Sequence, residues 1–203
     1  MIKIIIIWIL KLSPVSKRWF WKKWYNIFAQ RAKDPKLRLM NYGYSSEGMP
    51  VHLESEDELE RYPIQLYNYV SSHVVIKDKL VLEVGSGRGG GASFIARYLK
   101  PENITGIDIS SEAIALCKNI YNIKNLNFLF GDAEDIPLED NSYDVVVNVE
   151  SSHCYGSMKV FLNEVYRVLK PSGTFLFCDF RTKQEINKLY DYFNNSDFIF
   201  VNR

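Results

Sequence analysis

Short, nearly continuous apolar runs alternate along the chain with stretches whose apolar residues recur every three or four positions. The runs occupy residues 80–84, 104–109, 126–130, 143–149 and 174–178. A run that is apolar at successive positions is typical of a strand covered on both faces, as in parallel sheets. The pattern therefore predicts a mainly parallel sheet with helices on both faces.

Helical spacing of apolar residues fills the gaps between these runs. It predicts helices over residues 92–99, 111–120, 158–169 and 184–193, and an earlier helix that the acidic residues 54–60 open. Asp197–Val201 is predicted as a sixth strand. Strands that alternate with helices form a doubly wound α/β sheet, in which ligands bind at the carboxyl ends of the strands.

A glycine-rich turn follows the first run, Leu80–Val84. Gly85, Gly87 and Gly89 allow the backbone to turn tightly and a ligand to approach it, just before a helix N-terminus. This arrangement predicts a nucleotide site, but Gly85, Gly87 and Gly90 also match the G-x-G-x-x-G fingerprint of dinucleotide-binding enzymes. Glu83, two residues before the first glycine, favours a ligand with an ammonium group over one with a pyrophosphate.

Two aspartates lie at the carboxyl ends of the next two predicted strands. Asp108 lies about 20 residues beyond the glycines, where a carboxylate accepts both hydroxyls of a ribose, in NAD as in other nucleosides. Asp132 follows the third strand, so its carboxylate reaches the same sheet edge and is placed to accept a hydrogen bond from an adenine amino group. The two positions together favour an adenosine ligand.

These positions, taken together, resemble the class I S-adenosylmethionine-dependent methyltransferases. The matching motifs are Glu83-x-Gly85-x-Gly87-x-Gly89, Asp108, Gly131-Asp132-Ala133 before Ile136-Pro137, and Glu164-x-x-Arg167-Val168-Leu169-Lys170-Pro171-x-Gly173. The resemblance implies a Rossmann-like fold and S-adenosylmethionine as cofactor, with Glu83 and the glycine turn at its methionine part. The cofactor-binding residues that it implies are Glu83, Gly85, Ser86, Gly87, Gly89, Asp108, Ile109, Asp132, Ala133 and Asn148.

A narrower resemblance covers roughly residues 21–181. Gly89-Gly90-Gly91-Ala92-Ser93 and Asn148-Val149-Glu150-Ser151-Ser152-His153-Cys154-Tyr155 are similar to the phthiotriolone and phenolphthiodiolone dimycocerosate methyltransferases. That family O-methylates a hydroxyl of a long-chain lipid. The resemblance implies an enzyme that O-methylates a hydroxyl of a lipid or of another hydrophobic small molecule.

Two residues just past the fourth predicted strand are the candidate catalytic groups. An alcohol acceptor loses a proton when it is methylated, and the His153 imidazole titrates near neutral pH, so it suits the general base. Glu150 is expected to orient that histidine or to contact the acceptor. The alternative for His153 is a hydrogen bond to the loop backbone, in which case it only shapes the pocket.

The family pattern continues beyond the sixth strand with an antiparallel seventh strand. Residues 197–203 supply only the sixth, so we expect a sheet that lacks its last strand. Two other functions stay open from the sequence. One is a truncated relative that binds the cofactor with weak or no turnover, and the other is an NAD-dependent oxidoreductase.

The charge along the chain is strongly asymmetric. Residues 1–38 hold ten of the 25 Lys and Arg, one acid and all four Trp, although the net charge of the whole chain is only +1. We divide the chain into this basic, aromatic-rich helical segment, residues 1–38, and a C-terminally short S-adenosylmethionine-binding domain, residues 39–203. The isoleucine-rich residues 1–12 are too few for a spanning helix, which needs about 20 residues.

Cations mixed with aromatic side chains in residues 17–28 favour a helix that lies on an anionic membrane surface. The main alternative is a helix that packs on its own domain; nucleic acid is not expected as a partner. Three scattered cysteines give neither a disulfide framework nor a metal site and favour a reducing compartment. We therefore expect a cytoplasmic protein that is peripheral at the membrane and takes a lipid or small-molecule acceptor.

Overall fold

The structure is a computed structural model that describes residues 13–31, 37–45 and 51–201. Its centre is a sheet of five strands in the order β3-β2-β1-β4-β5, in which each neighbouring pair is parallel. The strands are β1 (Leu80–Val84), β2 (Asn103–Asp108), β3 (Leu126–Phe130), β4 (Tyr143–Val149) and β5 (Leu169–Cys178). The predicted Rossmann-like fold class is confirmed. The isoleucine-rich residues 1–12 lie outside the described residues.

Helices connect the strands and cover both faces of the sheet. They are α1 (Pro14–Arg31), α2 (Arg61–Ser71), α3 (Gly90–Phe94), α4 (Ser111–Ile120), α5 (Met158–Val168) and α6 (Lys183–Asn194). A 3₁₀ turn at Ser55–Glu60 precedes α2, and a π-helical turn at Ile95–Leu99 continues α3. Within the described residues, no helix has both the length and the apolar character that crossing a bilayer requires.

Alternate residues of the central strands pack into two separate cores. Val81 and Val145 point into a core shared with α2, α3 and α4, whereas Leu82 and Val146 point into one shared with α5. All four side chains are buried. Because each strand is covered on both faces, its sequence reads as a continuous apolar run.

Local signals set several helix starts. The Ser110 hydroxyl accepts the N–H of Ala113 at the start of α4, and the Ser157 hydroxyl accepts the N–H of Val160 at the start of α5. Helix α6 begins with a reciprocal capping box between Thr182 and Glu185. These caps agree with the helix positions predicted from the apolar spacing.

The predicted sixth strand is wrong. Residues 195–201 form no strand, and the aromatic rings there pack on the adjacent layer instead. The Phe198 ring lies 5.5 Å from that of Phe175 on β5 and 5.7 Å from that of Tyr166 on α5. Alternating aromatics favour a strand only when a neighbouring strand accepts the backbone hydrogen bonds, and here side-chain packing decides.

Candidate active site

A cavity of about 250 Å³ opens at the carboxyl ends of the strands. Its floor is the glycine turn and the ends of β2 and β4, and residues of α1 and of segment 38–42 cover it. The predicted site residues that line it are Gly85, Ser86, Gly87, Asp108, Ile109, Asp132, Ala133, Glu150 and His153. The structure therefore brings most of the predicted cofactor-binding and catalytic residues together in this cavity.

Three predicted cofactor residues lie behind the cavity wall. Glu83 is fully buried, and its Oε1 accepts a hydrogen bond of 2.6 Å from the Tyr67 hydroxyl. The buried Asn148 amide donates to the Val84 carbonyl oxygen at 2.9 Å. A Cβ on Gly89, which has φ +78°, would lie 2.6 Å from the Phe128 ring. Direct cofactor contact by these three residues stays a prediction, since the structure gives them supporting contacts.

The glycines of the turn are required by the protein's own packing. A Cβ on Gly91 would lie 2.1 Å from the Tyr67 ring, and a Cβ on Gly85, at φ +77°, would lie 2.3 Å from the Ser151 hydroxyl oxygen. At distances this short, a side chain at either position would force its neighbours to shift. Gly85 in the turn and Gly91 at the start of α3 thus serve the fold itself, in addition to any need for close approach of a ligand.

Two backbone amides orient the Asp108 carboxylate. Its Oδ2 accepts the N–H of Gly87 at 2.9 Å, and its Oδ1 accepts the N–H of Ser110 at 2.8 Å. Burial raises the pKa of the Asp108 carboxyl, and these two amide donors oppose the rise. Each oxygen retains a further lone pair, so a carboxylate on the cavity wall is placed to accept two adjacent hydroxyls.

Asp132 is paired with a residue of the N-terminal helix. Arg18 Nη2 lies 2.6 Å from Asp132 Oδ2, and Arg18 Nη1 lies 3.6 Å from a Glu134 carboxylate oxygen. The Asp132 Oδ1 accepts the N–H of Glu134 at 2.9 Å. Sequence reasoning missed Arg18, because nothing in its local pattern separates it from the other cations of residues 1–38.

The partner of His153 is Asp179. The His153 Nδ1 lies 2.9 Å from Asp179 Oδ1, and Asp179 Oδ2 accepts the N–H of His153 at 2.9 Å and the Ser152 hydroxyl at 2.6 Å. Arg181 Nη1 is 2.9 Å from the same Asp179 oxygen. Asp179 directly follows β5, so its place at the carboxyl end of a strand was a signal that sequence reasoning could have used.

Glu150 makes a different contact. It has a left-handed backbone with φ +47°, and its Oε2 accepts the N–H of Tyr42 at 2.9 Å. Burial raises the pKa of the Glu150 carboxyl, the Tyr42 amide lowers it, and the Asp179 charge raises it again. In the structure the carboxylate hydrogen-bonded to the His153 ring is that of Asp179. A role of Glu150 in orienting His153, or in contacting the acceptor, stays a prediction.

The pair of His153 and Asp179 holds a proton strongly. Burial lowers the pKa of His153, but the hydrogen bond and charge of Asp179 outweigh it, together with Cys154, and raise it to about 9. In the opposite sense, the His153 and Ser152 donors outweigh burial and lower the pKa of Asp179. The imidazole is therefore largely protonated at neutral pH while Asp179 is ionised.

Aromatic rings surround His153 at the mouth of the cavity. The Phe180 ring centroid lies 4.3 Å from that of His153, and the Trp21 ring stands edge-on at 6.3 Å. The Tyr42 ring meets Phe180 edge-on at 5.3 Å. This side of the cavity places the His153 imidazole among aromatic rings, which suits an acceptor with an apolar body.

The donor end has the chemistry that an adenosyl ligand requires. Asp108 and Asp132 supply carboxylates on the wall, and Gly85–Gly87 supply backbone at close range. Beneath the turn, Glu83 Oε2 is buried and has no hydrogen-bond partner among the residues that the structure describes. Burial raises the pKa of Glu83 to about 8, and a nearby cation would favour its ionised form. The residues present thus fit S-adenosylmethionine.

Comparison with known proteins gives the same assignment. A family model described as a methyltransferase domain matches residues 82–177. The chain is 45% identical over 163 residues to the fatty-acid O-methyltransferase of Mycolicibacterium smegmatis, an alignment with 80% of this chain and 60% of that protein. It is 41% identical over 175 residues to a phthiotriol/phenolphthiotriol dimycocerosates methyltransferase of Mycobacterium ulcerans, covering 86% and 64%. The chain thus spans less than two thirds of these relatives.

Solved structures share the fold. A SAM-dependent methyltransferase from Aquifex aeolicus superposes with a TM-score of 0.60 at 19% identity, over 88% of this chain and 90% of that one. The [4+2]-cyclase SpnF gives a TM-score of 0.62 at 21% identity, over 76% and 58%. The predicted family resemblance and cofactor are confirmed. The chain therefore carries a methyltransferase domain in residues 82–177.

Proposed function

We propose that the protein is a methyltransferase that O-methylates a hydroxyl of a lipid or of another hydrophobic small molecule. The observation that carries this proposal is the shared cavity, which has the carboxylates of Asp108 and Asp132 at one end and His153 within an aromatic cluster at the other. S-Adenosylmethionine, when bound, supplies an electrophilic methyl group. The relatives named for fatty acids and phthiotriol support an acceptor with long apolar chains.

The chain's own residues would align the acceptor, exclude water and receive a proton. An Nδ1–H that donates to Asp179 leaves Nε2 of His153 as the proton-accepting atom. The Asp179 carboxylate fixes the ring and stabilises the imidazolium that forms when the hydroxyl proton arrives. Phe180, Trp21 and Tyr42 would contact the apolar part of the acceptor and keep water from the reacting atoms.

A carboxylate acceptor is the second candidate, and the charge of His153 favours it. With a pKa of about 9, the imidazole is a cation at neutral pH and would bind an acceptor carboxylate directly. A carboxylate needs no proton removal before methylation. A relative named fatty-acid O-methyltransferase supports this chemistry. The two candidates predict opposite changes of the methylation rate with pH, because a hydroxyl acceptor requires neutral His153 and a carboxylate acceptor requires the imidazolium.

The test is transfer of label from tritiated S-adenosylmethionine to a long-chain alcohol and, separately, to a fatty acid. Alcohol methylation should increase as pH rises through about 9, with its midpoint there, whereas fatty-acid methylation should decrease over the same range. Equal insensitivity of both reactions to pH would remove His153 from the mechanism. If the protein binds S-adenosylhomocysteine but labels neither acceptor, the alternative function holds, that of a relative that binds the cofactor without turnover.

We also propose that residues 1–38 form a distinct segment that holds the domain, residues 39–203, at an anionic membrane surface from the cytoplasmic side. Helix α1 lies against the body through Arg18 and through Asn26, which meets the Ser110 hydroxyl at 2.6 Å. On α1, Trp19 and Trp24 are 55% and 52% exposed. Exposed indoles among lysines suit a headgroup layer.

Vesicle sedimentation tests this membrane proposal. The protein should bind vesicles that contain phosphatidylglycerol more tightly than vesicles of phosphatidylcholine, and Trp19→Ala with Trp24→Ala should weaken the binding by about tenfold. Tyr62→Ala, at an exposed aromatic residue of α2, is the matched control and should bind normally. Equal sedimentation of the double variant and the control would leave α1 with its packing role only.

A further inference from the structure

A buried carboxylate fastens the segment of residues 37–45, here called the wall segment, to the body of the protein. Glu60 Oε1 accepts the N–H of Arg38 at 2.7 Å and the N–H of Leu39 at 2.9 Å, and its Oε2 receives Arg38 Nε at 2.6 Å. Glu60 is only 7% exposed. One side chain thus fixes two consecutive amides and the guanidinium between them.

A second buried carboxylate extends this anchor to the helix after the glycine turn. Asp57 has no exposed surface, and its carboxylate lies 2.8 Å from Arg38 Nη2 and 2.7 Å from Arg97 Nη1. Arg97 belongs to the π-helical turn that continues α3. The wall segment is therefore tied, through Arg38, to the same helix that begins at the glycine turn.

The wall segment lies directly on the glycine turn. The N–H of Gly90 donates to the Arg38 carbonyl oxygen at 3.2 Å, and Arg88 donates to the Leu37 carbonyl oxygen. A Cβ on Gly87 would lie 2.6 Å from the Met40 methyl carbon. The position of the first residues of the segment thus decides how closely the turn is covered.

After its contacts with Glu60, the wall segment crosses the cavity to a second group of contacts. Residues 38–42 line the cavity, and the N–H of Tyr42 reaches Glu150 at the far side, 2.9 Å away. The N–H of Tyr44 then donates to the Tyr62 carbonyl oxygen at 2.9 Å. The segment is therefore a strap held at both ends, with Glu60 at the end next to the glycine turn.

We propose that Glu60 is a positioning residue for the methyl donor. It holds residues 38–42 in the conformation that completes the donor end of the cavity, so that the donor meets a preformed wall and orders less chain on binding. Without the Glu60 carboxylate, the amides of Arg38 and Leu39 and the Nε of Arg38 lose their acceptor, although Asp57 still pairs with Arg38 Nη2. A buried donor without a partner favours detachment of the segment. This inference rests on the proposed function, because it takes the cavity to be the donor site.

The first measurement is amide hydrogen exchange by NMR on the ligand-free full chain. In Glu60→Ala, the amides of Arg38 and Leu39 should exchange at least about tenfold faster, while those of β1 keep their protection. Glu58→Ala is the matched control, since Glu58 belongs to the same 3₁₀ turn but pairs, within the described part of the chain, with Arg61 at the surface. Unchanged exchange of Arg38 and Leu39 in Glu60→Ala would overturn the anchor.

The second measurement is calorimetric titration of the same proteins with S-adenosylhomocysteine. Glu60→Ala should bind it at least about tenfold more weakly than the wild type and Glu58→Ala, with the folded fraction checked by thermal unfolding. Glu60→Gln keeps one accepting oxygen and should lie between. If Glu60→Ala does not fold, Glu60→Gln carries the same comparison. A purely structural role would lower the unfolding temperature and leave the affinity of the folded protein unchanged, which would overturn the proposal.

The two possible failures are distinguishable. If the wild-type chain itself does not bind S-adenosylhomocysteine, the donor site is wrong, and the donor role of Glu60 is overturned before any substitution is made. If the wild type binds and Glu60→Ala binds equally well despite faster exchange at Arg38 and Leu39, the donor site stands and only the positioning role is overturned.

Discussion

The donor end and the acceptor end of the cavity are built in different ways. At the donor end, Gly85–Gly87, Asp108 and Asp132 lie at the carboxyl ends of three strands that are consecutive in the chain. Backbone amides orient the Asp108 carboxylate. At the acceptor end, the residues come from α1, the wall segment and the ends of β4 and β5. Their contacts with one another are between aromatic side chains and the His153 imidazole.

This difference teaches which part of the site the fold itself determines. Parallel strands bring their carboxyl ends to one edge, so the donor groups meet once the sheet forms. The acceptor groups meet only after separate elements dock on that edge, and Tyr42 remains 82% exposed. We expect substitutions at the donor end to change folding or cofactor affinity, and substitutions at the acceptor end to change turnover.

The largest effect is expected for His153→Ala at the acceptor end. Loss of a general base should lower kcat by about 10²- to 10⁴-fold, with the affinity for S-adenosylhomocysteine nearly unchanged. Label transfer and calorimetry measure the two quantities. His73→Ala removes an exposed histidine outside the cavity and should behave as the wild type. Normal turnover of His153→Ala would mean that this residue only shapes the pocket.

Gly91→Ala should be the most damaging substitution for folding at the donor end. The new methyl would lie 2.1 Å from the buried Tyr67 ring, so that ring or the helix must shift. We expect a loss of about 1–3 kcal/mol in the free energy of unfolding, measured by urea denaturation without cofactor. If Gly91→Ala were as stable as the wild type but bound cofactor poorly, the glycine would serve the ligand rather than the packing.

Asp108→Asn should weaken cofactor binding without changing the reactivity of His153. The amide cannot accept on both sides, so it loses one of the contacts to Gly87 and Ser110 and one acceptor for a hydroxyl. Calorimetry should show about tenfold weaker S-adenosylhomocysteine binding. Asp144→Asn is the control, since Asp144 accepts the Leu80 N–H at the opposite edge of the sheet. Equal affinities of the two variants would contradict the role of Asp108.

Asp179→Asn should have the smallest effect on maximal rate but should move the pH profile. Removing the carboxylate removes the main cause that raises the pKa of His153 to about 9, so the midpoint of activity should shift toward 6.5. For a hydroxyl acceptor the rate at pH 7 then rises relative to the plateau; for a carboxylate acceptor it falls. An unshifted midpoint would show that the titrating group is not His153.

The same shift predicts the pH dependence of stability. The pKa of His153 in the folded chain lies above its unfolded value of 6.5, so its contribution is fully present below pH 6.5 and is lost as pH rises through about 9. Asp179→Asn should flatten the fall in unfolding temperature over that window. A parallel fall in both proteins would contradict the pairing of these two side chains.

The sheet was largely predictable because its signals are local. Continuous apolar runs gave all five strands, and β1, β3 and β4 have the predicted limits. The wrong sixth strand, Asp197–Val201, shows the limit of that signal. Its alternating aromatics fit a strand equally well, and only the place of Phe198 against Phe175 and Tyr166 decided otherwise.

Asp108 and Asp132 were found from spacing because each lies at the carboxyl end of its strand. Asp179 also directly follows a strand, but its role depends on a hydrogen bond to His153, which lies on another loop. Arg18 and Glu60 had no local signal at all, since a cation in a basic helix and an acid in an acidic turn are common surface residues.

The sequence by itself determined the order of strands and helices, the glycine turn and the two carboxylates at the donor end, because each depends on residues a few positions apart. The tertiary structure decided which distant groups complete the cavity: Arg18 on Asp132, Asp179 on His153, and the wall segment on Glu60. Ion pairs and buried contacts form between residues that are close in space but distant in the sequence. Which residue pairs with which is therefore decided only when the chain has folded.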